Sequence, residues 1–561
     1  MEYMDRKRMK RINLFCLVML VILICSACHK TGDETAAEGP LETTGKTSSP
    51  PAINTNEPLL LALDIEPDDG FDPLMGWGSY GTPLFQSTLL RRNADQSVSG
   101  DLAKAWELDD SRRVWRITIR DDAVFSDGTL LTAADVAFTF NQAAKTAGKT
   151  DVTVLEQAVV IDPYTVEIRL KTPQITFINR LITLGIVPAH AYGKSYGRNP
   201  VGSGPYRLVQ WDEGRQMVMA SNPYYYGQKP AIEKVVFLFM EEDAAFAAAK
   251  AGTVHVFRAP QMLAKQEIPG MIRHAVPSVD NRGICFPCLP PQNWQSPQGY
   301  PVGNPVTADS AIRKAINHAV NRRELVDGIL EGFGSPAHGP VNMLPWDQPD
   351  SAIRDNNPET ARQILKAGGW QDNNGDGIVE KNGIAASFSL LYDANDSIRQ
   401  ALALAVSDAA KKIGIEIVVT GKSWDDIYKL MHSNAVLFGF GSFDQTEMHN
   451  LYFGGRKEEA LHNPGFYANQ TVDGYLNAAM AAPTENAAIP FWQKAQWDGK
   501  TGFSTRGDAA WAWLVNLDHT YFISQHLDIG HTCTEQHGSY IIANLPQWRW
   551  KVPSRPCASG T

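Results

Sequence analysis

With 561 residues, 43% of them apolar and 20% charged, the chain is too long for one small core and has the composition of a globular protein with two or three lobes. It carries 61 acidic against 51 basic side chains, a net charge of −10, and its basic residues form no block beyond the N-terminus. That balance argues against a nucleic-acid partner, and no apolar run reaches the roughly 20 residues of a spanning helix.

The N-terminus reads as an export signal. Arg6, Lys7, Arg8, Lys10 and Arg11 precede the apolar run from Ile12 to Ile24, and Cys25-Ser26-Ala27-Cys28 follows. A positive start, a short apolar middle and small residues before a cut are what a secretory signal needs. The small-small-Cys ending resembles the lipobox of bacterial lipoproteins, apart from Cys25, where Leu or Val is commoner. The resemblance implies cleavage after residue 27 and a lipid on the sulfur of Cys28, which would anchor an extracytoplasmic protein to a bilayer. Residues 28–57 are rich in Thr, Gly, Ser and Pro and have little to bury, so they are expected to form a flexible linker.

Folded structure is expected from Pro58. Leu59 to Leu63 has a buried-strand pattern, and Val114 to Ile119 alternates like a half-buried strand. Asp127-Gly128 turns the chain, and Thr132 to Asp135 has the spacing of a capping box that opens a helix through Phe140. Thr165 to Leu170 alternates again, and Gly202-Ser203-Gly204-Pro205 leads into a strand at Tyr206 to Trp211. Ala308 to Leu330 is amphipathic and interrupted near Asn321. Asn357-Pro358-Glu359 starts a helix that Gly368-Gly369 ends. Between Phe388 and Gly441 the pattern runs strand, helix, strand, helix, strand, which predicts an α/β lobe with right-handed crossovers.

Several of these segments together resemble the extracytoplasmic solute-binding proteins of ABC importers, the peptide/nickel family known as family 5. They are Asp101 to Trp106, Trp115 to Phe140, Asn199 to Trp211 (NPVGSGPYRLVQW), Asn222 to Gly227 (NPYYYG) and Ala311 to Gly332, where Asn321 stands in place of the usual Asp. The resemblance implies an α/β, two-lobed periplasmic-binding-protein-like fold with an extra subdomain and a cleft that closes by hinge motion. The expected partition is lobe one at 58–90, 199–287 and 513–552, the subdomain at 91–198, lobe two at 288–512 and a tail at 553–561. The implied function is capture of small peptides for a membrane permease by a monomer without a cofactor. Nickel, as a chelate, is the alternative ligand. Alternatives of another class are a surface hydrolase and a ligand-sensing receptor subunit; the chain has no HExxH and no GxSxG.

By resemblance, Asp444, after the strand that ends near Gly441, would pair with a peptide ammonium, with Glu447 behind it. Relatives usually have Pro where this chain has Gln445. Trp77 and Tyr80, on the loop Gly76 to Gly81, would line the ligand pocket, with Trp424 as a further candidate. Arg282 is a candidate for a two-pronged bond to a ligand carboxylate. His449, His519, His531 and His537 are candidate metal ligands, the last three lying near Cys533, although their spacing matches no closed metal site. Asp372 to Gly377 resembles a calcium loop, but Gly383 occupies the position of its bidentate Glu, which favours a tight turn. Cys285, Cys288, Cys533 and Cys557 allow up to two disulfides in three connectivities, and structural bonding of the Cys285–Cys288 pair is favoured over a redox role.

Overall fold

The structure, a computed structural model, describes residues 57–551 apart from 64, 80–82, 147, 149, 456–460 and 539–540. The signal, Cys28, nearly all of the linker, Tyr80, Cys557 and the tail 553–561 lie outside the described residues.

Two mixed sheets organise the lobes. The first has seven strands in the order Met271–Val276, His519–Ser524, Val256–Ala259, Leu59–Ala62, Lys234–Leu238, Gln216–Ser221, Tyr206–Asp212. The second has six, in the order Gly334–Pro336, Trp511–Leu517, Asn281–Cys285, Ala435–Phe440, Ser387–Asp393, Glu416–Lys422. In the second sheet Ser387–Asp393 runs parallel to both its neighbours, as the alternation of strands and helices predicts. The subdomain is built on a four-stranded sheet, Ala103–Leu108, Val114–Ile119, Thr165–Leu170 and Leu155–Asp162. Its second strand buries Trp115, Ile117 and Ile119 and exposes Arg116 and Thr118, the alternation read from sequence.

Pairing moves two of the expected boundaries. Asn281–Cys285 was expected in lobe one, but it pairs with Ala435–Phe440 and Trp511–Leu517 in the second sheet. The chain therefore changes lobes between Val276 and Asn281, and returns between Leu517 and His519. The two crossings are bonded to each other: Ser278 Oγ donates to Leu517 O, and Leu517 N–H donates to Asp280 O at 2.8 Å.

Local chemistry explains the motif segments. Thr132 N–H donates to Asp135 Oδ2 at 3.0 Å, and the helix Ala133–Ala143 follows. Gly202 and Gly204 let the strand entry pass against Leu84 and Phe85; a Cβ on Gly202 would lie 2.0 Å from the Phe85 carbonyl. The long amphipathic segment is two helices, Ser310–Ala319 and Arg322–Gly328. Asn321 caps the second by accepting the Glu324 N–H, so the Asn at this position keeps the capping function. Asp372 accepts the N–H groups of Gly375 and Gly377, and Asp376 that of Ile378, as in a tight turn.

Candidate functional site: an inter-lobe cleft

A cleft of about 950 Å³ opens beside the first sheet and the subdomain. The loops at 65–70 and 75–79 and the segment 531–547 supply much of its wall, and Phe443 reaches it from the second lobe. Trp77 lines it. Its indole N–H donates to Pro83 O at 2.7 Å, and its ring meets Phe71 edge-on at 4.9 Å, so the loop presents a fixed aromatic surface.

The tyrosines of NPYYYG also reach the cleft. Asn222 donates to Gly204 O and accepts the Tyr224 N–H, which sets the turn. Tyr225 and Tyr226 then face the cavity. Tyr226 O–H donates to Asp101 at 2.8 Å, and the Arg120 guanidinium lies 3.9 Å from its ring centroid. Arg91 pairs with Asp101 at 3.3 Å. Burial raises the Asp101 carboxyl, against the lowering effect of Arg91 and of the Tyr226 hydroxyl. The cavity lining thus carries both signs: Glu66, Asp68 and Asp69 on one loop, and Arg91, Arg92 and Arg120 from the subdomain. Motif matching singled out the tyrosine segment as a family mark, but nothing in it signalled that these rings turn inward.

Asp444 is not an unpaired amine anchor. Its carboxylate accepts bonds from Arg180, from Asn179 Nδ2 at 3.0 Å and from the Thr446 N–H at 2.9 Å. Arg180 and Asn179 belong to the subdomain, so Asp444 ties the subdomain to the second lobe. Gln445, the departure from the usual Pro, serves the same contact: it accepts from Asn179 and donates to Glu485, which also pairs with Arg92 at 2.9 Å. Glu447, three residues after Asp444, has its carboxyl withdrawn from water. Oε2 accepts the Gly441 N–H and Oε1 is buried without a partner. Burial pushes its pKa up to about 8, with Asp444 and Asp280 adding to the rise.

Arg282 is not a surface residue. It is buried, and Nη1 donates to Asp280 at 2.5 Å and to Asn281 O at 2.9 Å. Arg399 lies close by, both guanidiniums facing Gly439; a Cβ there would meet them at 2.6 and 2.8 Å. The Nε atoms of both arginines are buried without a partner. Trp424 does not line the cleft. It stacks on Phe438 at 6.0 Å, with Arg399 5.5 Å from its ring centroid.

The four candidate metal histidines do not converge. His449 stacks on Phe453 at 4.4 Å and contacts Asn477. His519 is buried between Glu535, at 2.5 Å, and Asp280, at 3.1 Å. His537 pairs with the other oxygen of Asp280 at 2.7 Å. His531 is exposed at the cleft wall. Among the described residues no group of three or more His, Cys, Asp or Glu side chains is arranged to hold a metal ion. His519 and His537 meet only through Asp280, while His531 stands at the cleft wall and His449 packs against Phe453. Cys285, Cys288 and Cys533 are free thiols, so the favoured Cys285–Cys288 bond is not present. Burial raises the Cys285 thiol well above its ordinary value, which keeps it unreactive.

Comparison with known proteins places this arrangement. Residues 97–456 match the model of the bacterial extracellular solute-binding proteins, family 5 middle region. Protein XP55 of Streptomyces lividans is 30% identical, over 84% of this chain and 86% of its own length. The oligopeptide-binding protein AppA of Bacillus subtilis is 23% identical, over 84% of this chain and 88% of its own. Among solved structures, NikZ of Campylobacter jejuni in complex with Ni(L-His) superposes with a TM-score of 0.73 at 22% identity, covering 89% of this chain and all of that one. AppA of Bacillus subtilis in complex with a nonapeptide gives 0.68 at 21% identity, covering 88% of this chain and 99% of that one. These likenesses carry the two-lobed fold. With the family model matched over more than half of the sequence, the chain belongs to the bacterial extracellular solute-binding proteins of family 5.

Proposed function

We propose that the protein is the capture component of an ABC importer, that it works outside the membrane as a monomer on a lipid carried by Cys28, and that it hands a short peptide to the permease. It binds and releases its ligand unchanged. The observation that supports a peptide is the two-signed, aromatic cleft. A free peptide brings an ammonium and a carboxylate at a separation of several ångströms, and the cavity lining offers Asp68 and Asp69 from one loop and Arg91 and Arg120 from the subdomain, with Trp77 and Tyr225 among its walls. Aromatic walls accept varied side chains by area, while the charges fix the ends. Solved relatives hold a nonapeptide in one case and Ni(L-His) in another. The nickel reading has one supporting feature here, His531 on the cleft wall.

Native mass spectrometry of the protein as purified decides between them. The expected result is an added mass equal to one or a few short peptides, lost on unfolding. An added mass with the isotope pattern of nickel would overturn the peptide reading. Anchoring is tested by detergent partitioning. Wild type is expected in the detergent phase and Cys28→Ala in the aqueous phase; wild type wholly in the aqueous phase would refute the lipid anchor.

A further inference from the structure

The second lobe carries a separate pocket of about 330 Å³, where the helix Ser310–Ala319 meets the loops at 352–354 and 505–506. Its ionisable lining is Lys314, His318, Arg354 and Arg506, and no acidic side chain lines it. Lys314 and His318 are four residues apart on one helix and so share a face. Among the described residues Lys314 and Arg354 make no ion pair. Arg506 donates through Nη1 to Asp350 O at 2.8 Å, which fixes its guanidinium at the pocket. His318 donates through Nδ1 to Arg354 O at 3.2 Å, an arrangement that leaves Nε2 as its second polar atom. Of the nearby acids, Asp355 is already engaged by Arg322 through Nη1 and through its backbone N–H, and Asp350, whose carbonyl holds Arg506, does not line the pocket.

This concentration of positive charge stands out on a chain of net charge −10. Three permanent cations around a small hollow repel one another, and a bound anion would offset that repulsion. A monocarboxylate brings one charge in one plane. A tetrahedral oxyanion brings more charge and oxygens directed at several donors, which suits two guanidiniums and an ammonium approaching from different elements. The volume lies at the low end for ligand pockets, enough for a phosphate or diphosphate group and too small for a peptide.

We propose that this pocket is a second binding site, independent of the cleft, for a compact oxyanion of the phosphate class. Its source is either a dissolved phosphate compound or the headgroup of an anionic phospholipid.

The test uses inorganic pyrophosphate in calorimetric titrations, and flotation with vesicles of phosphatidylcholine with and without phosphatidylglycerol. The flotation arm uses Cys28→Ala protein, so that an anchor contributes nothing. The variants are Lys314→Ala with Arg354→Ala, and Arg354→Glu alone. Arg354 is exposed and Lys314 half-buried without a hydrogen bond, so both variants are expected to melt with wild type. The expected result is saturable pyrophosphate binding by wild type, weakened at least tenfold in both variants. Binding of phosphatidylglycerol vesicles without pyrophosphate binding, lost in the variants, would support the site and assign it to a headgroup. Failure of wild type to bind either probe, or equal binding by wild type and both variants, would overturn the proposal.

Discussion

The two lobes are tied together by charge in two places, and the two ties differ in their access to water. At the hinge, Asp280 accepts from Arg282, His519 and His537, and Glu535 accepts from His519 and from Tyr521 at 2.7 Å. Side-chain exposure there is 4% for Asp280, 1% for His519, 7% for Glu535 and 10% for Arg282, with His537 alone in the tie reaching water at 33%. At the opposite tie, Arg180 meets Asp444 and Arg92 meets Glu485, with exposures of 18%, 17%, 7% and 22%. A buried pair cannot part without leaving an uncompensated charge. A pair that reaches water parts at small cost, because water takes over each ion. A relative movement of the lobes is therefore expected to keep the hinge tie and to break the tie between subdomain and second lobe first.

The largest expected effect comes from breaking the hinge tie. Burial alone would raise the Asp280 carboxyl, but Arg282, His537 and His519 reverse that and hold it well below the usual carboxylate range. Asp280→Ala should strand Arg282 and cost about 3–5 kcal/mol in urea unfolding. A loss under about 1 kcal/mol would mean that the hinge is as wet as the outer tie.

Glu447 lies between the two ties and sharpens the contrast through pH. Its carboxyl keeps a proton in the folded protein up to about pH 8, against an ordinary value of 4.5. Between those values the folded state holds the extra proton, so this group lowers stability as pH rises through the window. The slope is at most about 1.4 kcal/mol per pH unit for one proton. Glu447→Gln should remove it, so the variant gains on wild type from pH 5 to pH 8. Parallel stability curves for the two proteins would count against a buried, protonated Glu447.

The outer tie should show the smallest effect on stability and a clear one on shape. Asp444→Ala is expected to change unfolding free energy by less than about 1 kcal/mol. It should nonetheless enlarge the radius of gyration of the ligand-free protein in small-angle scattering, and Arg180→Ala should match it. A drop in stability as large as that of Asp280→Ala would erase the distinction between the two ties.

What was legible in the sequence follows the range of each interaction. Val114–Ile119 and Ser397–Lys411 were readable because their burial pattern repeats within a few residues. The lobe boundary near 280 was not, because Asn281–Cys285 takes its sheet from partners at 435–440 and 511–517. In the site, Trp77 announced itself as an aromatic between glycines. Asp444 was found by its position after a strand, but its partner Arg180 lies 264 residues away, and no local pattern reveals that pairing. The histidines misled in part: His519 and His537 do meet, but around the Asp280 carboxylate, while His531, six residues before His537, stands at the cleft wall. Arg282 had its answer close at hand, since Asp280 is two residues earlier with its side chain on the same face.

The placement of Trp511–Leu517 and His519–Ser524 bears on how the protein is made. Each is an interior strand of a different sheet, and nearly every residue of both is buried. Neither sheet is complete until this stretch, close to the C-terminus, has left the ribosome. Without it, Met271–Val276 has no partner in the first sheet and Gly334–Pro336 none in the second. One short stretch thus completes both sheets together, so the two lobes do not form their ladders independently of each other.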